Sequence, residues 1–172
     1  LALVYGQFLI IHPFMDGNGR IARLLIPCFL HQHKLLIKPI FCASDYFSKY
    51  RKEYCKRLFD LSSDLAWIKW INFFLKALAS QAKKQTQLMN QLALLYHQLA
   101  KQLNGHLSHS VIYQVLDFCF CQPIFKKTHF PFNREKHLLQ KMGLLQQHKD
   151  NFLFIPVITY LKKITSKKIV PR

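Results

Sequence analysis

The sequence is short of acidic side chains. Eight Asp and Glu residues stand against 25 Lys and Arg residues, which gives a formal net charge of +17. The excess is even, with 13 basic and 5 acidic side chains in residues 1–86 and 12 and 3 in residues 87–172. An even excess argues against a basic tail, although it would favour polyanions such as nucleic acid without sequence specificity.

Long apolar runs are also missing. Hydrophobic residues make up 51% of the chain and charged residues 19%, so the 172 residues can bury a core of one domain or slightly more. The longest apolar candidate, Ile68–Ala79, is interrupted by Lys69, Asn72 and Lys76. It stays below the roughly 18–20 residues that a membrane span requires. Leu1–Ile11 lacks a basic start and a cleavage site, so no secretory signal is predicted.

The five cysteines form no recognisable pattern. They are odd in number and lack the paired spacing of a metal site. We interpret Cys119 and Cys121 as two small apolar residues near a helix end. Free thiols of this kind fit a reducing cytoplasm, which is the location we expect.

One segment, residues 12–23, combines residue types that rarely occur together. It reads His-Pro-Phe-Met-Asp-Gly-Asn-Gly-Arg-Ile-Ala-Arg. Pro13 ends the helical pattern of Leu1–Ile11, and Gly17 and Gly19 permit backbone angles and close approaches that are closed to other residues. Asn18 also tolerates the left-handed region. We therefore predict a loop that leads into a new helix.

The new helix has a predicted apolar stripe and a positively polarised N-terminus. The stripe consists of Ile21, Leu24, Leu25, Cys28 and Phe29. The residues before it, Asp16–Gly19, lie where free N–H groups and the helix dipole favour an anion.

The polar side chains of the segment suit a polyphosphate nucleotide. Arg20 and Arg23 are three residues apart, so both can lean to one side of the first turn and bind phosphate through their planar forks. Asp16 can bind Mg²⁺, which prefers one or two carboxylates together with phosphate oxygens. His12 can act as a general base near neutral pH. Alone, each piece is more typical of a helix end, a turn or a solvated helix face, but together they favour a nucleotide site.

Residues 12–23 resemble the signature of the Fic (Fido-fold) family, His-Pro-Phe-x-Asp/Glu-Gly-Asn-Gly-Arg-x-x-Arg, at every specified position. Tyr5-Gly6-Gln7-Phe8 is similar to the helix that precedes the signature. Residues 24–27, 35–36, 44–47 and 50–54 are similar to the bacterial branch with a C-terminal winged-helix extension. The resemblance covers residues 1 to about 100 well and the remainder weakly.

The resemblance implies a protein adenylyltransferase that moves AMP from ATP to a Ser, Thr or Tyr hydroxyl of a target protein. His12 would take the proton from that hydroxyl, and Asp16 would hold Mg²⁺ against the phosphates. Backbone groups of Gly17, Asn18 and Gly19, with the Asn18 side chain, would stabilise the developing charge. Arg20 and Arg23 would hold the β- and γ-phosphates. Family members also transfer UMP, phosphate or phosphocholine with the same motif.

Four aromatic positions extend this comparison. The resemblance implies that Phe14 packs inward and anchors the loop. Tyr46 and Tyr54 are similar to family positions near the adenine, where an aromatic ring can stack, although both also fit a core-facing tyrosine of an amphipathic helix. Bacterial relatives usually carry Asn where this chain has Tyr50, which is a departure from the family pattern.

The apolar pattern predicts an all-α chain. The resemblance implies that residues 1–100 are the C-terminal part of a Fic helical core and that residues 101–172 are a degenerate winged-helix-like segment. After a connector, Asp45–Leu61 is predicted as one helix, with Ser44 or Asp45 as its cap. A long helix from Leu65 to about Leu103 should end at Asn104-Gly105. Its predicted stripe is Trp67, Ile71, Phe74, Leu75, Leu78 and Ala82.

The appended segment is predicted to begin with a helix over Ser108–Cys121. The apolar face of this helix is Val111, Val115, Leu116 and Phe118. Between Pro123 and Leu138 the chain is too short for two helices and a turn. Phe152–Ile155 is predicted as a wing strand and Tyr160–Ile164 as a closing turn. A decayed pattern of this kind favours protein contact or packing over base reading, which needs an intact helix in the major groove.

Only eleven residues precede His12. The resemblance implies several upstream helices and a β-hairpin that aligns the target by strand pairing, so we expect an N-terminally truncated chain. The glutamates, Glu53 and Glu135, do not fit the family's inhibitory-helix pattern. Two hypotheses follow: an enzyme that retains AMP transfer, and an inactive remnant that serves as a helical interaction module or weak DNA-binding regulator. The oligomeric state has no sequence signal.

Overall fold

Helices dominate the protein, as the sequence predicts. A computed structural model describes the backbone of residues 1–166 and the side chains of residues 1–161. It divides into two compact units, Leu1–Leu88 and a second that begins at Met89. None of its described helices is both long enough and apolar enough to cross a membrane.

The first unit is built from five helices. Their bounds are α1 Ala2–Ile11, α2 Asn18–Gln32, α3 Ser44–Lys49, α4 Arg51–Asp64 and the first part of α5, Trp67–Leu103. The loop between α1 and α2 is the predicted signature loop. The structure therefore confirms a helix, a loop and a second helix over residues 1–32.

An aromatic cluster forms the core of the first unit. Trp70 is fully buried on α5, and its ring centroid lies 5.9 Å from that of Tyr5 on α1 and 5.8 Å from that of Phe74. The indole N–H of Trp70 also donates a 2.9 Å hydrogen bond to the carbonyl oxygen of Ala2. These contacts hold α1, and therefore the loop that follows it, against α5.

The predicted apolar stripe of α2 is only partly confirmed. The buried residues of α2 are Asn18, Ala22, Ile26 and Pro27. Of the predicted stripe, Ile21, Leu25 and Phe29 are half-buried, whereas Leu24 and Cys28 are exposed.

The stripe predicted for α5 needs a similar correction. Trp70, Phe74 and Ala77 are fully buried, but Leu75 and Ala82 of the predicted stripe are exposed. The helix begins at Trp67, close to the predicted start at Leu65, and reaches Leu103 as predicted.

The predicted single helix Asp45–Leu61 is two helices, α3 and α4. The break is at Tyr50, whose backbone (φ −107°, ψ 37°) departs from helical geometry. No side chain caps the start of α3, so neither Ser44 nor Asp45 has the predicted capping role. The Asp45 carboxylate instead accepts a hydrogen bond from the Lys84 ammonium at 2.7 Å.

The second unit combines helices with a small sheet. Its elements are the end of α5, then α6 His109–Cys121, β1 Ile124–Lys126, α7 Lys136–Lys141, β2 Leu145–His148, β3 Asn151–Phe154 and α8 Ile155–Ser166. The three strands are antiparallel in the order β1-β3-β2, and Phe125 of β1 lies opposite Phe152 of β3. The strand predicted at Phe152–Ile155 is confirmed as β3, one residue earlier at each end, and its role as a wing stays a prediction.

Helix α6 matches its prediction closely. It starts after Ser108, its N-cap residue, and ends at Cys121. Its buried face includes Ile112 and Cys119 in addition to the predicted Val115 and Leu116. Burial raises the pKa of the Cys119 thiol to about 12, whereas Cys121 is exposed.

Two further predictions concern the segments before and after the β2–β3 hairpin. The segment between Pro123 and Leu138 holds β1, a 3-10 turn at Lys127–His129 and the start of α7, so it is indeed too short for two full helices. The predicted closing turn at Tyr160–Ile164 is wrong, since α8 runs through it.

The division between the units falls earlier than the predicted boundary at residue 100. The reason is that Leu99 and Leu103, near the end of α5, pack into the core of the second unit with Val115 and Phe152. The assignment of residues 101–172 to a degenerate winged helix stays a prediction, and its last part, residues 167–172, lies outside the described residues.

Candidate active site

The signature loop begins where α1 ends. His12 follows Ile11 in the left-handed conformation (φ 51°, ψ 56°), and its N–H donates to the Phe8 carbonyl oxygen at 3.1 Å. A non-glycine residue in this region costs roughly 1–2 kcal/mol. The His12 side chain is exposed, and its Nδ1 lies 3.4 Å from the Leu9 carbonyl oxygen, so the ring is accessible to a bound molecule.

A cavity of about 330 Å³ lies beside the His12 side chain. It is lined by Leu9, Ile10, His12, Leu58, Phe59 and Ser62. Residues of both α1 and α4 therefore surround one side of the predicted base.

The loop ends at Gly17, the N-cap residue of α2. Gly17 has a positive φ of 84°, and its carbonyl oxygen accepts hydrogen bonds from the N–H groups of Arg20 at 2.9 Å and Ile21 at 3.0 Å. The N–H groups of the first helical residues, Asn18 and Gly19, have no intrahelical partner. Free N–H groups at a helix start and the helix dipole favour an anion, and binding of an anion at this position stays a prediction.

Asn18 closes the loop. It is almost fully buried, its Oδ1 accepts a hydrogen bond from the Phe14 N–H at 3.1 Å, and its Nδ2 donates to the Phe14 carbonyl oxygen at 2.6 Å. The side chain predicted to face the phosphates is thus bound to the loop backbone. Asn18 itself is helical. The left-handed conformations of the loop are taken by His12 and Gly17.

We expect the substitution Asn18→Ala to lower the free energy of unfolding of the first unit by about 1–3 kcal/mol. The reason is that it leaves two polar groups of the Phe14 backbone without partners. Urea denaturation followed by circular dichroism measures the change. Asn90→Ala, at an exposed position of α5, should change stability by less than about 0.5 kcal/mol. Equal effects of the two substitutions would contradict the closing role of Asn18.

Asp16 and Arg20 form an ion pair at the mouth of the loop. Arg20 Nη2 lies 3.0 Å from Asp16 Oδ2, and the two side chains are 73% and 91% exposed. Exposed pairs of this kind contribute only about 0–1 kcal/mol. A bound Mg²⁺-polyphosphate can therefore replace this contact at little cost.

Arg23 lies deeper in the unit. A Cβ atom on Gly19 would be 3.3 Å from Arg23 Nη1, so the glycine makes room for the guanidinium group over the first turn of α2. The Tyr5 and Tyr54 hydroxyl groups share a 3.1 Å hydrogen bond. Burial raises the pKa of both phenols, and the Arg23 charge opposes part of that rise. Both phenols therefore stay protonated at neutral pH.

The structure places Tyr54 in the core. Its ring packs on Phe47 at a centroid distance of 4.9 Å and on Trp70 at 6.1 Å. Of the two readings that the sequence left open, this position corresponds to the core-facing one. Tyr46 is half-buried and contacts Tyr50 at 4.5 Å, and burial raises the pKa of its phenol.

The prediction that the Phe14 side chain packs inward and anchors the loop is wrong. Its side chain is 49% exposed, and its ring meets Phe8 at a centroid distance of 6.3 Å. The loop is instead held through the Phe14 backbone by Asn18, because a short amide reaches both backbone groups that a phenyl ring cannot satisfy.

Asp16 offers a single carboxylate to a metal ion. Within the part of the chain that the structure describes, no group of three or more His, Cys, Asp or Glu side chains is placed to hold a metal. Such a donor set fits Mg²⁺, which commonly uses one or two carboxylates and takes its other ligands from phosphates and water.

The packing role of two residues of α1, Tyr5 and Gly6, was not predicted from the sequence. Tyr5 is fully buried, and a Cβ atom on Gly6 would lie 2.9 Å from Leu61 Cδ2 and from Trp70 Nε1. The one signal for them was a glycine inside an otherwise apolar helix, which often marks close packing.

A sequence model of the Fic/DOC family matches residues 1–30. The match covers α1, the signature loop and most of α2, which are the elements that carry His12, Asp16, Arg20 and Arg23.

Proposed function

We propose that this protein transfers a nucleotide, AMP from ATP, to a hydroxyl side chain of a target protein. The observation that carries the proposal is the arrangement within the matched segment. An exposed histidine at the end of α1 stands before an anion-attracting helix start flanked by Asp16, Arg20 and Arg23.

The proposed reaction is an in-line displacement at the α-phosphorus. The His12 imidazole accepts the proton of the target hydroxyl, and the hydroxyl oxygen bonds to the α-phosphorus of ATP. The bond between the α-phosphorus and the bridging oxygen breaks, and pyrophosphate leaves. Positioning and charge stabilisation supply most of the rate in such a transfer.

The remaining roles fall to the start of α2. Arg20 leaves Asp16 to bind the β- and γ-phosphates together with Arg23, and the free N–H groups of Asn18 and Gly19 bind the phosphate oxygens. Asp16 is the residue that would hold Mg²⁺. The ion would supply positive charge against the phosphate oxygens. Asn18 keeps the loop closed, which maintains the spacing between His12 and these N–H groups.

The position of the transferred label tests the proposal. Purified protein is incubated with Mg²⁺ and cell lysate, once with ATP labelled at the α-phosphate and once with ATP labelled at the γ-phosphate. Compared with a lysate reaction that contains His12→Ala instead, AMP transfer adds label to lysate proteins only in the α-phosphate reaction and releases pyrophosphate. Label from the γ-phosphate alone would indicate phosphate transfer and contradict the proposal.

The competing function is a non-catalytic helical interaction module or weak DNA-binding regulator in a reducing cytoplasm. The absence of transfer, together with the absence of a nucleotide-induced rise in melting temperature, would favour it. In that case the second unit is the part to test for nucleic-acid binding, because Lys141 and Lys149 are exposed near the β2–β3 hairpin. A salt-dependent gel-shift assay with duplex DNA separates nucleic-acid binding from protein contact.

A further inference from the structure

A second polar pocket lies between α4 and α5 in the first unit. Its volume is about 360 Å³, and none of the described residues that line it belongs to the signature segment 12–23. Three cationic side chains line it, Arg57, Lys69 and Lys76. Of its lining residues only Tyr46 is one that the resemblance places near the adenine, and the proposed transfer of AMP gives the three cationic side chains no role.

The helical spacing brings these side chains together. Lys69 and Lys76 lie on one stripe of α5 with Asn72 between them, at positions i, i+3 and i+7. Arg57 and Glu53 are four residues apart on α4, and Tyr46 of α3 completes the wall. The sequence already showed the lysines as interruptions of an apolar helix, and the structure shows which helix they face.

Positive charge exceeds negative charge in this pocket, with Glu53 as the one carboxylate among its lining residues. Arg57 Nη2 lies 3.4 Å from Glu53 Oε1, and Arg57 Nη1 lies 3.8 Å from Asp60 Oδ2, so both ion pairs are long. Among the described residues, Lys69 and Lys76 have no carboxylate within 4.0 Å.

The Arg57 side chain also has a hydrogen-bond donor without an acceptor. Its Nε atom is buried and has no hydrogen-bond partner among the described residues. A buried donor without an acceptor costs free energy, and native proteins rarely leave one. An anionic ligand bound by the guanidinium group would balance the surrounding positive charge.

We propose that this pocket binds a small organic molecule through its phosphate group. The guanidinium group of Arg57 matches the oxygens of a phosphate, and the two lysines add charge at its edges. A volume of about 360 Å³ is within the range of small-molecule sites and larger than one ion needs. The carbon part of the ligand would lie against Tyr46, and Asn72 would contact its polar groups.

Calorimetric titration tests this site, with glycerol 3-phosphate as the probe. Inorganic phosphate reports on the charged group alone, and glycerol is the uncharged control. The titrations use protein in which Arg20→Gln and Arg23→Gln remove the two arginines of the signature segment. Binding of both phosphate compounds, without binding of glycerol, is the expected result. This binding result does not depend on whether the proposed nucleotide transfer occurs.

Substitutions then locate the binding. Arg57→Gln and Lys69→Gln should each weaken binding of glycerol 3-phosphate by about tenfold or more, since each removes a charged donor. Lys56→Gln is the matched control, because Lys56 is an exposed lysine of α4 that does not line the pocket. It should change the dissociation constant less than twofold.

Three outcomes would overturn the proposal. The first is no binding of either phosphate compound at millimolar concentration. The second is binding that survives both Arg57→Gln and Lys69→Gln. The third is equal weakening by Lys56→Gln, which would show a general attraction of anions to a basic surface. If Arg57→Gln lowers the melting temperature, the exposed Lys69 position decides the result alone.

Discussion

Replacing His12 with alanine should lower the rate of AMP transfer by about 10²- to 10⁴-fold, the usual contribution of a general base. The structure indicates that the loss would be chemical, because the His12 side chain is exposed and contributes no core packing. Melting temperature and circular dichroism should therefore stay close to those of the unmodified protein. The transfer of label from α-labelled ATP gives the rate.

His12→Asn is the matched control for backbone conformation. His12 has a positive φ of 51°, and asparagine tolerates the left-handed region better than alanine does. It should preserve the end of α1 while lacking a base, so its activity should be as low as that of His12→Ala. Recovery of activity in His12→Asn would show that loop conformation, rather than proton transfer, limits the reaction.

Replacing Trp70 with alanine should lower the free energy of unfolding of the first unit by about 3–5 kcal/mol, as for other large buried aromatic residues. Trp70 is fully buried, contacts the rings of Tyr5 and Phe74, and donates its indole N–H to Ala2. The substitution leaves a cavity and releases α1. Guanidinium denaturation followed by the fluorescence of Trp67, the other tryptophan of the chain, measures the change.

The neighbouring tryptophan supplies a comparison. Trp67 is only half-buried, so Trp67→Ala should destabilise the unit clearly less than Trp70→Ala does. Trp70→Phe keeps most of the packing and loses the hydrogen bond to Ala2, with an expected cost of about 0.5–1.5 kcal/mol. If Trp70→Ala and Trp67→Ala had equal effects, the aromatic cluster would not be the part of the core that holds α1.

Local features of the chain were largely predictable. The helix before His12, the loop, the helix start after Gly17 and the ends of α5 and α6 depend on proline, glycine and apolar spacing, which act over a few residues. Predictions that depend on a partner helix were less accurate. Leu24 and Cys28 of the α2 stripe and the side chain of Phe14 are exposed against the prediction, because which face of an element is covered depends on the elements that pack against it.

The sequence by itself determined which residue types are available to a nucleotide: a histidine, a carboxylate, two glycines and two arginines within residues 12–23. It also determined that they lie at a helix start, because local backbone preferences suffice for that. Tertiary structure decided which contacts the individual side chains make. Asn18 hydrogen-bonds to the loop backbone, Arg23 lies near the Tyr5 and Tyr54 hydroxyl groups, and Arg57 lines one pocket with two lysines of α5. Contacts between distant residues depend on how helices pack, and local spacing does not contain that information.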